Sequence, residues 1–294
     1  MKYSPTGAIV TNIDNDHLNY YEGREDVLVA AFNQFMDQVS NPDYLFWCGD
    51  DLHLKRLNHP GKSYGFEPHC DWKASYLRQK GFSIIFDIEG EGQLYRDVEV
   101  ALTGSHNALN ALAIFGLART LGIKEEAIRQ AFKSFKGVMR RCEKKGNQHG
   151  VLFLDDYAHH PTEIKTTLRA IRSAINERRL IAVFQPHRHS RTRDCLGQYG
   201  SIFDAADELF ITETFAAGEA PIPGISHKNI IEEIERASTI PIHEVNRADL
   251  SQTLADFVQP HDVVVTLGAG DITKAGPETL ALLEKQARSS KTPA

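Results

Sequence analysis

From residue 151 onward the chain alternates strictly between apolar runs and helical patterns. Runs at 151–154, 180–184, 208–212, 240–245 and 263–267 each read as a buried strand, and a helical pattern fills every gap, starting at Pro161, after Phe184, near Lys228 and at Ala248. Near-continuous apolar strands separated by helices are the mark of a parallel sheet covered on both faces, so this half is predicted to be a Rossmann-like α/β domain with crossover helices. In its first helix Ile164, Leu168, Ile171 and Ile175 recur at spacings of four, three and four, which supplies the stripe facing the sheet. Pro161 suits the first turn, where a backbone N–H would have no partner anyway.

The first half is patterned differently. Residues 8–13 read as a buried strand, and the helical pattern after Gly23 puts Leu28, Phe32, Phe35 and Val39 on one face, followed by a strand at 44–48. Runs at 82–88 and 93–102 flank Glu89-Gly90-Glu91-Gly92, which predicts an antiparallel hairpin. The clearest helix covers 106–121, with Gly122 placed for a left-handed C-terminal cap, and a second covers 124–134. The polar segment 144–150 contains two glycines and predicts the domain boundary, giving domains 1–148 and 149–294. A polar tail follows Lys285.

Composition narrows the function. A chain of 294 residues with 41% hydrophobic and 24% charged residues is long enough for two buried cores. The net charge of −6 argues against broad binding to nucleic acid or to an anionic membrane, so phosphate recognition must come from local clusters. Cys48, Cys70, Cys142 and Cys195 lie far apart, which indicates neither a disulfide framework nor a zinc knuckle and fits a reducing, cytoplasmic setting. No apolar run approaches the roughly 20 residues of a membrane span, and Met1-Lys2-Tyr3-Ser4-Pro5 lacks the apolar core of a signal peptide.

Two strand ends carry the candidate chemistry. Asp155-Asp156-Tyr157-Ala158-His159-His160-Pro161 follows one apolar run, and Gln185-Pro186-His187-Arg188-His189-Ser190-Arg191-Thr192-Arg193 follows the next. Ligands of open α/β sheets sit beyond the carboxyl ends of the strands, so both clusters are expected to face one crevice. Asp155 reads as the capping acid of the following helix. Arg188 and Arg191 are three apart and could clamp a carboxylate or a phosphorylated species; a solvated basic patch is the alternative, and Arg193 is read as one. Asp16-His17 follows a buried strand, where the imidazole is either a hydrogen-bonded structural group or a metal ligand, with Asp16 a turn or orienting acid. Asn107 and Asn110 share a helix face and could match the edge of an adenine, although Asn107 could equally cap its helix.

Two glycine motifs are decoys. Pro60-Gly61-Lys62-Ser63 ends like a phosphate-binding loop, but Arg56 stands where that loop needs glycine, and no complete G-x-x-x-x-G-K-[ST] occurs in the chain. Gly268-Ala269-Gly270 lacks the third glycine of a dinucleotide fingerprint and reads as a tight turn giving backbone clearance beside the crevice.

Several of these segments, in this order, resemble the Mur ligase family: residues 11–17, 105–110, 137–141, the strand-end clusters, 216–224 and 267–272. The resemblance implies a Mur-type central ATPase domain, present here in part, followed by the C-terminal Rossmann-like ligase domain. The segment Phe184-Gln185-Pro186-His187-Arg188 favours the branch that joins L-alanine to UDP-N-acetylmuramate through an acyl phosphate, with ATP and Mg2+, in peptidoglycan precursor synthesis. By resemblance His17 holds magnesium, and Asn107, Asn110, Arg141 and Asp156 contact the nucleotide at adenine, phosphates and ribose. Tyr157, His159, His187, Arg188 and Arg191 line the reaction centre. Arg140 receives no such role and reads as a solvated charge at a helix end. His189-Ser190 departs from the family's usual Tyr-Thr but leaves both arginines in register. The family carries its phosphate-binding loop ahead of the Asp-His segment, so the chain is expected to be a C-terminal fragment, inactive without an N-terminal half. The alternatives are a non-catalytic remnant that binds nucleotide or amino acid, and another Mur ligase such as the peptide-recycling enzyme.

Overall fold

A computed structural model describes residues 4–15, 18–57 and 59–289. The chain divides into two compact units, residues 1–136 and 137–294. Each is an α/β structure built on its own six-stranded sheet.

The first unit runs β1 (Ala8–Val10), α1 (Glu25–Asp37), β2 (Leu45–Cys48), α2 (Leu54–Leu57), β3 (Lys62–Gly65), β4 (Trp72–Lys80), β5 (Ser83–Gly90), β6 (Gln93–Val100), α3 (Ser105–Thr120) and α4 (Glu125–Ser134). Its strands lie in chain order, parallel from β1 to β4 and antiparallel from β4 to β6. The β5–β6 hairpin and the two helices after it fall where the apolar pattern puts them. Phe46, Tyr64, Trp72, Phe86 and Phe115 are fully buried. Helix α3 packs closely because it is small where it crosses the sheet: a Cβ on Gly116 would stand 2.6 Å from Phe46 Cε1. It ends as Gly122 predicts. Gly122, at φ 80°, donates its N–H to Arg119 O, and Ile123 donates to Ala118 O, the paired bonds of a Schellman cap.

The second unit runs β7 (Glu143–Gln148), β8 (Val151–Asp156), α5 (Pro161–Ile175), β9 (Leu180–Phe184), α6 (His189–Asp194), β10 (Glu208–Ile211), α7 (His227–Ala237), β11 (Ile242–Glu244), α8 (Arg247–Phe257), β12 (Val263–Leu267) and α9 (Ala275–Ser289). The strand order is β11-β10-β9-β12-β8-β7. All pairs are parallel except β7–β8. Period-two alternation assigns the two faces. Val151, Phe153, Ile181, Val183, Phe210 and Val264 pack with Leu250 and Leu254 of α8 and Leu283 of α9. On strand β9, Phe184 instead meets the rings of Tyr199 and Phe203, at 6.4 and 5.5 Å.

The chain returns to the middle of this sheet last. β12 enters between β9 and β8, so the three strand ends that carry the polar clusters are neighbours. This is the position where the direction of winding changes, which opens a crevice at the carboxyl edge.

The polar segment expected to be the domain boundary is instead β7 and its turn, and the units divide between Lys136 and Gly137. Glu143 to Gln148 pairs with β8 from Asp155 to Val151, so residues 143–148 belong to the second sheet, and the segment 137–142 before them to the second unit. A fragment beginning at residue 137 is therefore expected to melt cooperatively. One beginning at residue 149 leaves the buried strand β8 as a bare edge and should melt several degrees lower or aggregate. Equal melting temperatures for the two fragments would contradict this division.

Candidate active site

Of the expected site residues, Tyr157, His159, His187, Arg188 and Arg191 all lie in the segments that follow β8 and β9 in the second unit. The rings form a continuous row: Tyr157 meets His159 edge-on at 5.1 Å, His159 meets His187 at 5.8 Å, and His187 stacks on Phe215 at 5.7 Å. His187 is pushed down to about 4 by burial first, then by His159, Arg188 and Arg191 around it. It is a neutral imidazole near pH 7.

Helix α5 starts immediately behind this row. His160, not Asp155, is its N-cap: His160 Nδ1 accepts from Thr162 N, and Glu163 Oε2 accepts from the backbone N–H of His159 and His160. Asp155 belongs to the strand and has a different task. It is 0% exposed, accepts from the hydroxyls of Thr266 and Thr273 at 2.6 and 2.7 Å, and faces Arg140 Nε at 3.4 Å. A carboxylate inside a parallel sheet needs such partners, because burying it bare is costly.

Arg140 is therefore no solvated helix-end charge. Its guanidinium donates to the carbonyl oxygens of Gly268 at 2.5 Å and of Ala269 and Gly270 at 3.4 Å, and it lies 4.8 Å from the Tyr157 ring. Three carbonyls converge there because the turn after β12 is nearly free of side chains. A Cβ on Gly268 would fall 2.8 Å from Gln185 O, and one on Gly270 would fall 2.6 Å from Gln185 Oε1. The clearance read from the sequence is real, and the cleared space is filled by the protein itself: the Gln185 backbone beside Gly268, and the Gln185 and Phe215 side chains beside Gly270. Gln185, 2% exposed, closes the arrangement by donating to Asp271 Oδ1 and accepting from Ile272 N.

Asp156 faces away from the Asp155 pair. Its carboxylate accepts from Cys142 N at 2.7 Å and Ala158 N at 2.8 Å. Burial pushes it up to about 6, against the pull of these two N–H groups. Each oxygen keeps a lone pair with which a sugar hydroxyl could bond. Arg141 is 56% exposed, 5.8 Å from the Tyr157 ring and 3.9 Å from Glu163, a loose tether that leaves the guanidinium able to meet a phosphate.

In the first unit Asn107 Nδ2 donates to Thr103 O at 2.8 Å, and Asn110 Nδ2 approaches Asn107 Oδ1 at 3.4 Å. The two share a face, and Asn107 bonds backward to the residue before the N-cap Gly104. Asp16 and His17 lie outside the described residues. The segment leading to them is held by Asp51, whose carboxylate accepts from Ile13, His53 and Leu54 N–H groups. Among the described residues no three acidic, histidine or cysteine side chains gather as a metal site, and no helix is long and apolar enough to cross a membrane.

Gln185 and Glu219 lie in segments quoted from the sequence but received no role there, and Phe215 was not singled out. Gln185 directly follows an apolar run, which is a usable signal. The parts played by Phe215 and Glu219 show only in their contacts with the loop after β9.

The Mur ligase middle domain matches residues 1–118, and the Mur ligase glutamate ligase domain matches residues 140–270. UDP-N-acetylmuramate--L-alanine ligase of Protochlamydia amoebophila is 58% identical over 98% of this chain and 63% of its own length. The bifunctional enzyme MurC/Ddl of Chlamydia pneumoniae is 42% identical over 93% of this chain and 34% of its own length. Among solved structures, UDP-N-acetylmuramate-alanine ligase MurC from Thermotoga maritima superposes with a TM-score of 0.76 at 23% identity, covering 99% of this chain and 61% of that one. The MurF ligase of Thermotoga maritima in complex with ADP gives 0.74 at 19% identity, over 96% of this chain and 63% of that one. The chain thus spans about three fifths of the length of the single-function ligases it matches and about one third of the bifunctional enzyme. Two consecutive Mur ligase domains, in the family's order and with the family's fold, place this chain in the Mur ligase family.

Proposed function

We propose that these residues serve a ligase that joins L-alanine to UDP-N-acetylmuramate with ATP, in peptidoglycan precursor synthesis, in the cytoplasm. The observation that supports this best is the row Tyr157–His159–His187 beside Arg188 and Arg191, at the strand ends where such a sheet binds its ligands. In this reading the muramate carboxylate takes the terminal phosphoryl group of ATP, and the alanine amine displaces phosphate from the acyl phosphate to form an amide.

That chemistry asks the protein for position and charge rather than for a nucleophile. Arg188 and Arg191 would neutralise the oxygens of the acyl phosphate and of the departing phosphate. His187, uncharged near pH 7, can accept a hydrogen bond from the attacking amine without the repulsion an imidazolium would add. Tyr157 and His159 wall the pocket for the small amino acid. In the second unit Asp156 and Arg141 suit the ribose and phosphates of a nucleotide; in the first, Asn107 with Asn110 suit an adenine edge. Magnesium, held with the help of His17, would draw charge from the phosphate oxygens.

The alternative is a non-catalytic remnant that binds nucleotide or amino acid without turnover. Alanine-dependent phosphate release separates the two. The ligase carrying these residues should release phosphate only when ATP, UDP-N-acetylmuramate and L-alanine are all present, and its absence from such a protein would favour the remnant.

Replacing Arg188 by alanine in that ligase should lower turnover on the order of 100-fold, the usual cost of one transition-state donor, with melting shifted little. Unchanged turnover with unchanged melting would remove Arg188 from the site.

The titrations give a further expectation. Followed by carbon-13 shifts, Asp156 should titrate near pH 6 and His187 near pH 4. Between about pH 4 and 6 the fold holds the Asp156 proton more tightly than the unfolded chain does, so this group lowers stability as pH rises through that window. For His187 the sign is opposite: its contribution is complete above about pH 6.5 and is lost as pH falls towards 4. Ordinary midpoints, near 4 for the acid and 6.5 for the imidazole, would contradict the burial argument.

A further inference from the structure

Helix α6 has an unusual start. Its N-cap is Arg188, at φ 68°, a left-handed backbone that a residue with a side chain adopts only when its surroundings impose it. An N-cap normally offers a side-chain oxygen to the amides of the first turn, and arginine has donors only. No side-chain capping bond is made by Arg188.

The missing acceptor comes from another loop. Glu219 Oε2 accepts the backbone N–H of Ser190 at 3.0 Å, and Glu219 Oε1 accepts the Ser190 hydroxyl at 2.6 Å. Glu219 is delivered by a tight turn in which its N–H bonds to Ala216 O across Ala217 and Gly218, both left-handed at φ 51° and 85°. The same loop is zipped to the strand end: Arg188 N donates to Phe215 O and Phe215 N to Pro186 O, each at 2.8 Å. Thr192 then closes the turn from inside, its N–H and hydroxyl both bonding Arg188 O. Burial pushes the Glu219 carboxyl up, but the Ser190 hydroxyl and N–H and the nearby Arg188 outweigh it and hold it below its ordinary value.

We propose that Glu219 is a positioning residue that caps α6 from the neighbouring loop, so that the N-cap position can be an arginine and Arg188 and Arg191 are held in place for the reaction. The arrangement resolves a conflict between local structure and chemistry. A serine or aspartate at 188 would cap the helix but bring no cation, whereas a remote acid caps it and leaves the cation in position. The catalytic part of this inference rests on the ligation reading above; the capping part does not.

Two measurements separate these parts. Hydrogen exchange on the 294-residue chain should show the Ser190 amide of Glu219→Ala exchanging at least about tenfold faster, with global melting within a few degrees. Glu219→Gln, which keeps one acceptor oxygen, should fall between that variant and the parent. Should Glu219→Ala fail to fold, Ser190→Ala and Glu219→Gln report on the same contact. Unchanged exchange overturns the proposal. In the ligase carrying these residues, Glu219→Ala should lower kcat about ten- to a hundredfold, as misplacement of a reacting group does, with KM for ATP within about twofold and partial recovery in Glu219→Gln. Unchanged kcat against an active parent overturns the positioning role. A parent without ligase activity defeats the functional reading instead, and hydrogen exchange then decides the capping on its own.

Discussion

The second unit depends on how one buried carboxylate is satisfied. Asp155 sits near the end of β8, between β12 and the edge strand β7, with no exposure to solvent, where an ionised group without partners would cost several kcal/mol. Its partners are Thr266 on β12, Thr273 in the short 3-10 turn that follows, and Arg140 in the segment before β7. Satisfying Asp155 therefore ties residues 140–155 to residues 266–273, more than a hundred positions later. Arg140 extends the effect by holding the three carbonyls of the glycine turn and lying against Tyr157. Removing Arg140 would leave Asp155 buried without its counterion, so the pair acts as a constraint on geometry more than as a source of stability.

The same logic recurs one strand away. Loops around the crevice are fixed by carboxylates that accept from backbone N–H groups: Asp156 for Cys142 and Ala158, Glu163 for His159 and His160, Glu219 for Ser190. Each acid has a structural use of its oxygens, which leaves the cations and imidazoles to face the crevice. Positive charge gathered beside a neutral His187 is a suitable setting for an acyl phosphate meeting an amine.

Much of the fold was legible because burial on both faces writes itself into sequence. The apolar runs of β8, β9, β10 and β12 and the stripe of α5 could be read directly, as could Gly122 ending α3. What failed had physical reasons. β7, with the sequence Glu-Lys-Lys-Gly-Asn-Gln, is an edge strand whose outer side meets solvent, so it has no apolar signature and was taken for a linker. β3 and β4 carry little apolar signature, since β3 is the short run Lys62-Ser63-Tyr64-Gly65 and the outer half of β4 is exposed. In the site, residues were recognisable by type and by resemblance, but pairings across the sheet were not. Asp155 looked like a helix cap because local rules see only neighbours in sequence, whereas its partner hydroxyls lie more than a hundred residues away. Arg140 was discounted for the same reason, since the carbonyls it binds belong to the far end of the chain.

The central claim is that Asp155 and Arg140 act as one unit in organising the strand ends. A double-mutant cycle tests it most directly, with Asp155→Asn, Arg140→Met and the double variant compared by denaturant unfolding. Coupled groups in one buried network deviate from additivity, and a coupling free energy of about 1–3 kcal/mol is expected, with the double variant more stable than the sum of the single losses implies. Losses that add to within about 0.5 kcal/mol would show that the two residues act independently and would contradict the account.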